Sequence, residues 1–99
     1  MQILITARHT EIPADVRERA ADTLTKLGRL AHRPVRAEAV FDLDHQRHIV
    51  ELQMHLPRQG LLVAKAEAAE FWTALDRAAD KLRHQIEKEV GRLQQVKAG

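Results

Sequence analysis

The chain has 99 residues, a net charge of +2 with histidines neutral and 44% hydrophobic content, which suits one packed domain over residues 1–99 and excludes wholesale disorder. Without cysteine there is neither a disulfide framework nor a thiolate metal site. No run of about 18 apolar residues exists, and "MQILITARHT" lacks the basic and long apolar regions of a secretory signal, so a cytoplasmic protein with no membrane association is expected.

"MQILITA" reads as a short strand with Ile3 and Ile5 on one face. "IPADVRERAADTLTKLGRL" reads as a helix. Pro13 suits its first turn and Asp15 its positive N-terminal end. Val16, Ala20, Thr23, Leu24, Leu27 and Leu30 recur at three- and four-residue steps as an apolar stripe, and Gly28 and Pro34 bracket the exit.

Three further strands follow. "VRAEAVFDLD" places Val35, Ala37, Ala39, Phe41 and Leu43 on one face; "HIVELQMHL" does the same with His48, Val50, Leu52, Met54 and Leu56. Pro57 and Gly60 mark a turn before "LLVAKAE". A long helix from about Ala69 to Val96 closes the chain. The fold class is α+β in the order β-α-β-β-β-α, a four-stranded mixed sheet with two helices packed on one face. A crossover through the first helix pairs strands one and two in parallel if they are neighbours.

In the last helix, at about 100° per residue, Trp72, Leu75, Ala79, Leu82, Ile86, Val90 and Leu93 form the core-facing arc. Arg77, Lys81, His84, Lys88 and Arg92 gather almost opposite, a cationic ridge about 22 Å long. Asp76, Asp80 and Glu87 lie on a flank with Arg83, so acids and bases balance in number but separate in space. The first helix adds Lys26 and Arg29 near its C-terminal end. Such a ridge is the arrangement that tracks nucleic-acid phosphates by displacing counterions; it is also what any long solvated helix can present.

Other constellations carry less. "DLDHQRH", from Asp42 to His48, holds ligand-type residues, but strand alternation sends neighbours to opposite faces, so no metal site is read there. His9, His32 and His55 have no partner pattern and read as surface residues. One Trp, two Phe and no Tyr count against aromatic base-stacking platforms. With no Ser, no Cys and no glycine-rich phosphate loop, nothing supports an enzyme or a cofactor.

"EIPADVRERAADTLTKLGRL" and "EFWTALDRAADKLRHQIEKEVGRLQQ" resemble the two helices of the ribosome hibernation-promoting factor family, which includes the ribosome-associated translation inhibitor called protein Y. "ITARHTEI", "HIVELQMHL" and "AKAEAAEFWTALD" fit the same pattern, in order and over nearly the whole chain. The resemblance implies the same fold and binding to the small ribosomal subunit in the channel used by messenger and transfer RNA. It also implies blocked translation and stabilised idle ribosomes in stationary phase or stress. The family's basic positions fall on Lys81, His84, Lys88 and Arg92 in the last helix and on Thr23, Lys26 and Arg29 in the first. His84 stands where Arg is usual, Thr23 replaces a base, and "EFW" replaces "DMY", so weaker or more pH-dependent binding is expected. Ending at Gly99, the chain resembles a short form, which would need a second factor or ribosome contacts alone for ribosome dimerisation.

The expected function is therefore a ribosome-hibernation and translation-silencing factor. Its expected rRNA-binding residues are Lys26, Arg29, Arg77, Lys81, His84, Lys88 and Arg92. The alternatives are a stand-alone double-stranded RNA-binding module and a protein-interaction module.

Overall fold

Alternating burial in the extended segments produces one sheet with a covered face and an open face. The computed structural model describes the backbone of residues 1–98 and the side chains of residues 1–91. The elements are β1 (Gln2–Arg8), α1 (Ala14–Leu30), β2 (Arg36–Asp44), β3 (Arg47–Leu56), β4 (Gly60–Ala68) and α2 (Phe71–Ala98). The strands lie in the order β1-β2-β3-β4. β1 and β2 are parallel, joined through α1, and the other two pairings are antiparallel.

On the covered face Ala37, Ala39 and Phe41 of β2, Val50, Leu52, Met54 and Leu56 of β3, and Ala64 and Ala66 of β4 share one core with both helices. α1 contributes Val16, Ala20, Leu24 and Leu27; α2 contributes Phe71, Ala74, Leu75, Ala78, Leu82 and Ile86. Ile3 and Ile5 of β1 pack at its margin. Alanines on β2, β4 and α2 leave room for the helix to approach the sheet, while Phe41, Leu24 and Leu82 fill the space beneath α1 and α2. β1, β2 and β4 point one way and each helix runs back against them, so α1 and α2 lie side by side in the same direction.

Several expectations about the core need correction. Trp72 is 37% exposed, and Phe71 takes the inward position, meeting Phe41 edge-to-face at 5.3 Å. The buried residues of α2 centre about 60° further round the helix than the arc read from its large apolar residues. The reason is that Ala74 and Ala78, wholly buried, carry the close contact with the sheet and the larger Trp72 does not. Leu30, which ends α1, and Val35, which precedes β2, are 47% and 53% exposed. Thr23 is only half-buried.

Pro13 is the residue before the first turn of α1, in an extended conformation, and its carbonyl accepts from the Arg17 N–H. Between β2 and β3, His45 and Gln46 both have positive φ, 50° and 70°, the pattern of a tight two-residue hairpin. Glycine or asparagine normally fills such positions, so this turn holds two strained residues.

Candidate nucleic-acid interface

α2 presents two chemically different flanks. On the flank toward β4, the Arg77 guanidinium donates to the Glu67 carbonyl at 3.1 Å, the Lys81 ammonium to the Lys65 carbonyl at 2.8 Å, and the Gln85 amide to the Val63 carbonyl at 2.8 Å. β4 is an edge strand, and every second carbonyl points away from β3. Two strand residues span about 6.8 Å and four helical residues about 6.0 Å, so the two repeats match for three successive rungs. The basic row of α2 thus lies along the β4 edge, not opposite the core stripe, because the core arc itself is turned toward it.

The flank toward α1 is acidic and largely neutralised. The Arg19 guanidinium reaches Asp76 at 3.6 Å and lies 5.6 Å above the centre of the Trp72 ring. Arg83 sits between Asp80 at 2.9 Å and Glu87 at 3.6 Å. These exposed pairs contribute little stability, about 0–1 kcal/mol each; their consequence is the charge pattern. The carboxylates of this flank are occupied by Arg19 and Arg83.

Lys26, Arg29 and Lys88 are exposed and, among the described residues, ion-pair with no carboxylate. Arg77 and Lys81, also exposed, bond only to neutral carbonyls and keep their whole charge. The structure therefore brings Arg77, Lys81 and Lys88 together along one flank of α2, and Lys26 and Arg29 on the last turns of α1. His84 stands apart from these free cations: its Nδ1 is 3.8 Å from Asp80. The side chain of Arg92 lies outside the described residues.

One cation had no sequence signal. Arg33, in the connection after α1, has a positive φ of 50°. With Met1, Ile3, Thr25, Gly28, Arg29 and Pro34 it lines an open cleft of about 390 Å³. Helical periodicity does not extend past Leu30, so no spacing rule could place Arg33 beside Arg29.

The histidines divide by location. His9 is not unpartnered: its Nδ1 lies 3.0 Å from the Asp42 carboxylate, across the ends of β1 and β2. That hydrogen bond is the main cause holding the Asp42 carboxyl below its ordinary value, against partial desolvation and aided by the Leu43 N–H and the charges of His9 and Arg8. His48 turns inward with its ring edge-to-face on Phe71 at 4.6 Å, and its Nδ1 is buried without a partner. His32 and His55 are exposed. No group of three or more metal-ligating side chains converges among the described residues. No described helix is long and apolar enough to cross a membrane.

Residues 3–94 match the family described as Sigma 54 modulation protein / S30EA ribosomal protein. The chain is 25% identical over 99 residues to a ribosome hibernation promoting factor of Pseudomonas putida, covering 100% of this chain and 96% of that one. It is 28% identical over 95 residues to the factor of the same name from Salmonella typhimurium, covering 96% and 99%. Its fold is similar to the crystal structure of the Thermus thermophilus Protein Y N-terminal domain, with a TM-score of 0.77, 30% identity and coverage of 89% and 98%. A ribosomal subunit interface protein from Coxiella burnetii shares the fold with a TM-score of 0.79 at 22% identity, covering 92% and 99%.

Proposed function

The chain belongs to the Sigma 54 modulation protein / S30EA ribosomal protein family, and from that premise we propose that it silences translation by binding the small ribosomal subunit through its helices. It is a ribosome-associated hibernation factor acting by occupancy, with no bond made or broken. The exposed cations of α1 and α2, Lys26, Arg29, Arg77, Lys81 and Lys88, contact ribosomal RNA phosphates, with His84 and Arg92 in the same row. The protein fills the channel of messenger and transfer RNA and so keeps the subunit idle.

The observation that carries this reading is the sorting of charge. Carboxylates on the α1-facing flank are held by Arg19 and Arg83, whereas Lys26, Arg29 and Lys88 are held by none among the described residues. Free, exposed cations release counterions on meeting phosphate, and paired ones first lose their partner. A net charge of only +2 makes shape matter as well, as expected for a folded RNA target.

Co-sedimentation with purified small subunits over a rising salt series tests the proposal. Stoichiometric binding that weakens with salt, and weakens further in a Lys26→Glu plus Lys88→Glu variant, is expected. Unchanged binding of that variant removes the cationic surface from the mechanism. Equal affinity for a generic RNA duplex would instead favour a stand-alone duplex-binding module.

A further inference from the structure

The cleft at the end of α1 is lined by two arginines and no carboxylate. Arg29 and Arg33 line it together with Thr25 and Gly28, and Met1, Ile3 and Pro34 supply apolar surface. Among the described residues neither arginine ion-pairs or hydrogen-bonds with a side chain. Gly28 is part of this construction: a Cβ there would come within 2.7 Å of the Met1 methyl group, so the missing side chain lets Met1 lie across the helix.

We infer that this cleft is a further RNA phosphate site, with Arg33 its principal contact and Arg29 shared with the row on α1. The inference rests on the RNA-binding reading above and extends it by a residue outside both helices. Three features point to a nucleic-acid backbone as the occupant. The cleft is open and not enclosed, which suits a strand passing through. Its charge is uncompensated. Arg29 belongs both to the exposed cations of α1 and to the cleft wall, so a strand following α1 meets Arg33 next. The apolar lining of Met1, Ile3 and Pro34 offers a surface against which the adjoining sugar or base packs.

The positive φ of Arg33 supplies a clean variant, because asparagine tolerates that backbone conformation better than most residues and carries no charge. Arg33→Asn is therefore expected to fold as well as the parent. The whole chain, its Arg33→Asn variant, a Lys88→Gln variant and an Arg36→Gln variant are compared by co-sedimentation with purified small subunits across a salt series. Arg36 alternates with buried Ala37 and lies on the open face of the sheet, so its loss should leave binding unchanged.

One phosphate contact corresponds to a loss of about five- to eightfold at roughly 0.1 M salt and a salt slope smaller by about one. That result is expected for Arg33→Asn as well as for Lys88→Gln. If Arg33→Asn binds like the parent while Lys88→Gln is weakened, the cleft is not engaged and this inference fails alone. If neither is weakened, the RNA-binding reading fails and takes this one with it.

Discussion

The Lys81 ammonium sits 2.8 Å from the main-chain carbonyl of Lys65, so a cation proposed above as a phosphate contact also caps a strand edge. Binding experiments at Lys81 therefore mix two effects, loss of charge and loss of an edge cap. Gln85 makes the equivalent bond to Val63 without charge, and it separates the two. Gln85→Leu is expected to lower the unfolding free energy by about 0.5–1.5 kcal/mol and to raise self-association through the bared β4 edge. Its affinity for small subunits should match the parent. Urea unfolding, light scattering and co-sedimentation read the three quantities; a large affinity loss would show that the edge itself contacts the ribosome.

His84 interrupts the cationic row and stands 3.8 Å from Asp80. His84→Arg adds a permanent charge at an exposed site and is expected to tighten small-subunit binding about five- to eightfold at roughly 0.1 M salt. The salt dependence should steepen by about one counterion. An unchanged slope would place His84 outside the contact.

The hairpin turn at His45 and Gln46 holds two non-glycine residues at positive φ. Replacing them by Asn and Gly respectively relieves that strain, and the double variant should gain about 1–2 kcal/mol of stability. The exchange also removes the side-chain contact of His45 with Asp44, whose side chains are 95% and 65% exposed, and a contact so open to water is worth little. Urea midpoints at constant slope measure the gain; no gain would mean that the turn relaxes in solution.

Acid should weaken the junction of β1 and β2. Asp42 has a depressed folded-state pKa, chiefly through His9, so its contribution is present above the ordinary carboxylate value near 3.9. That contribution is lost as pH falls through the folded-state value. His9→Asn keeps a residue suited to the positive φ there and removes the imidazole. The variant should be less stable than the parent at neutral pH, and the difference should vanish once pH is below both values. NMR titration of the Asp42 carboxyl should show its midpoint moving up toward the ordinary range in the variant.

His48 offers a test of the core near Phe71. Its Nδ1 is buried with no partner, a state that costs free energy relative to an apolar side chain of similar reach. His48→Leu is expected to be neutral or to stabilise by up to about 1 kcal/mol in urea unfolding. A loss larger than that would reveal a hydrogen bond made by the imidazole.

How much of this was legible beforehand follows from the range of each signal. Strand alternation is local, and the inward sets of β2 and β3, from Ala37 to Phe41 and from Val50 to Leu56, are buried as their period of two requires. The parallel pairing of β1 and β2 follows from the helix between them. The rotation of α2 was not legible, because alanine reads as neither core nor surface, whereas Trp72 reads as core by size. Whether Ala74 or Trp72 faces the sheet depends on the separation of helix and strands, a tertiary quantity.

For the candidate interface, composition along α2 gave the basic row but not its neighbours. That Arg77, Lys81 and Gln85 line up with Glu67, Lys65 and Val63 depends on two repeats of similar length meeting in space. The pairing of Arg19 with Asp76 crosses between helices, and Arg33 follows the end of a helix where periodicity stops. The Arg83–Glu87 pair, four residues apart on one helix, was the part that spacing alone could supply.

The sequential strand order has a kinetic corollary. Each strand pairs with the one made just before or after it, so the sheet can grow in the order of synthesis. Its last-made edge, β4, is left open until α2 has emerged as far as Gln85 to supply the third cap. Between those moments the nascent chain is a sheet with a sticky margin. A chain interrupted shortly after Ala68 should therefore be the aggregation-prone species, and completing α2 is the step that ends that exposure.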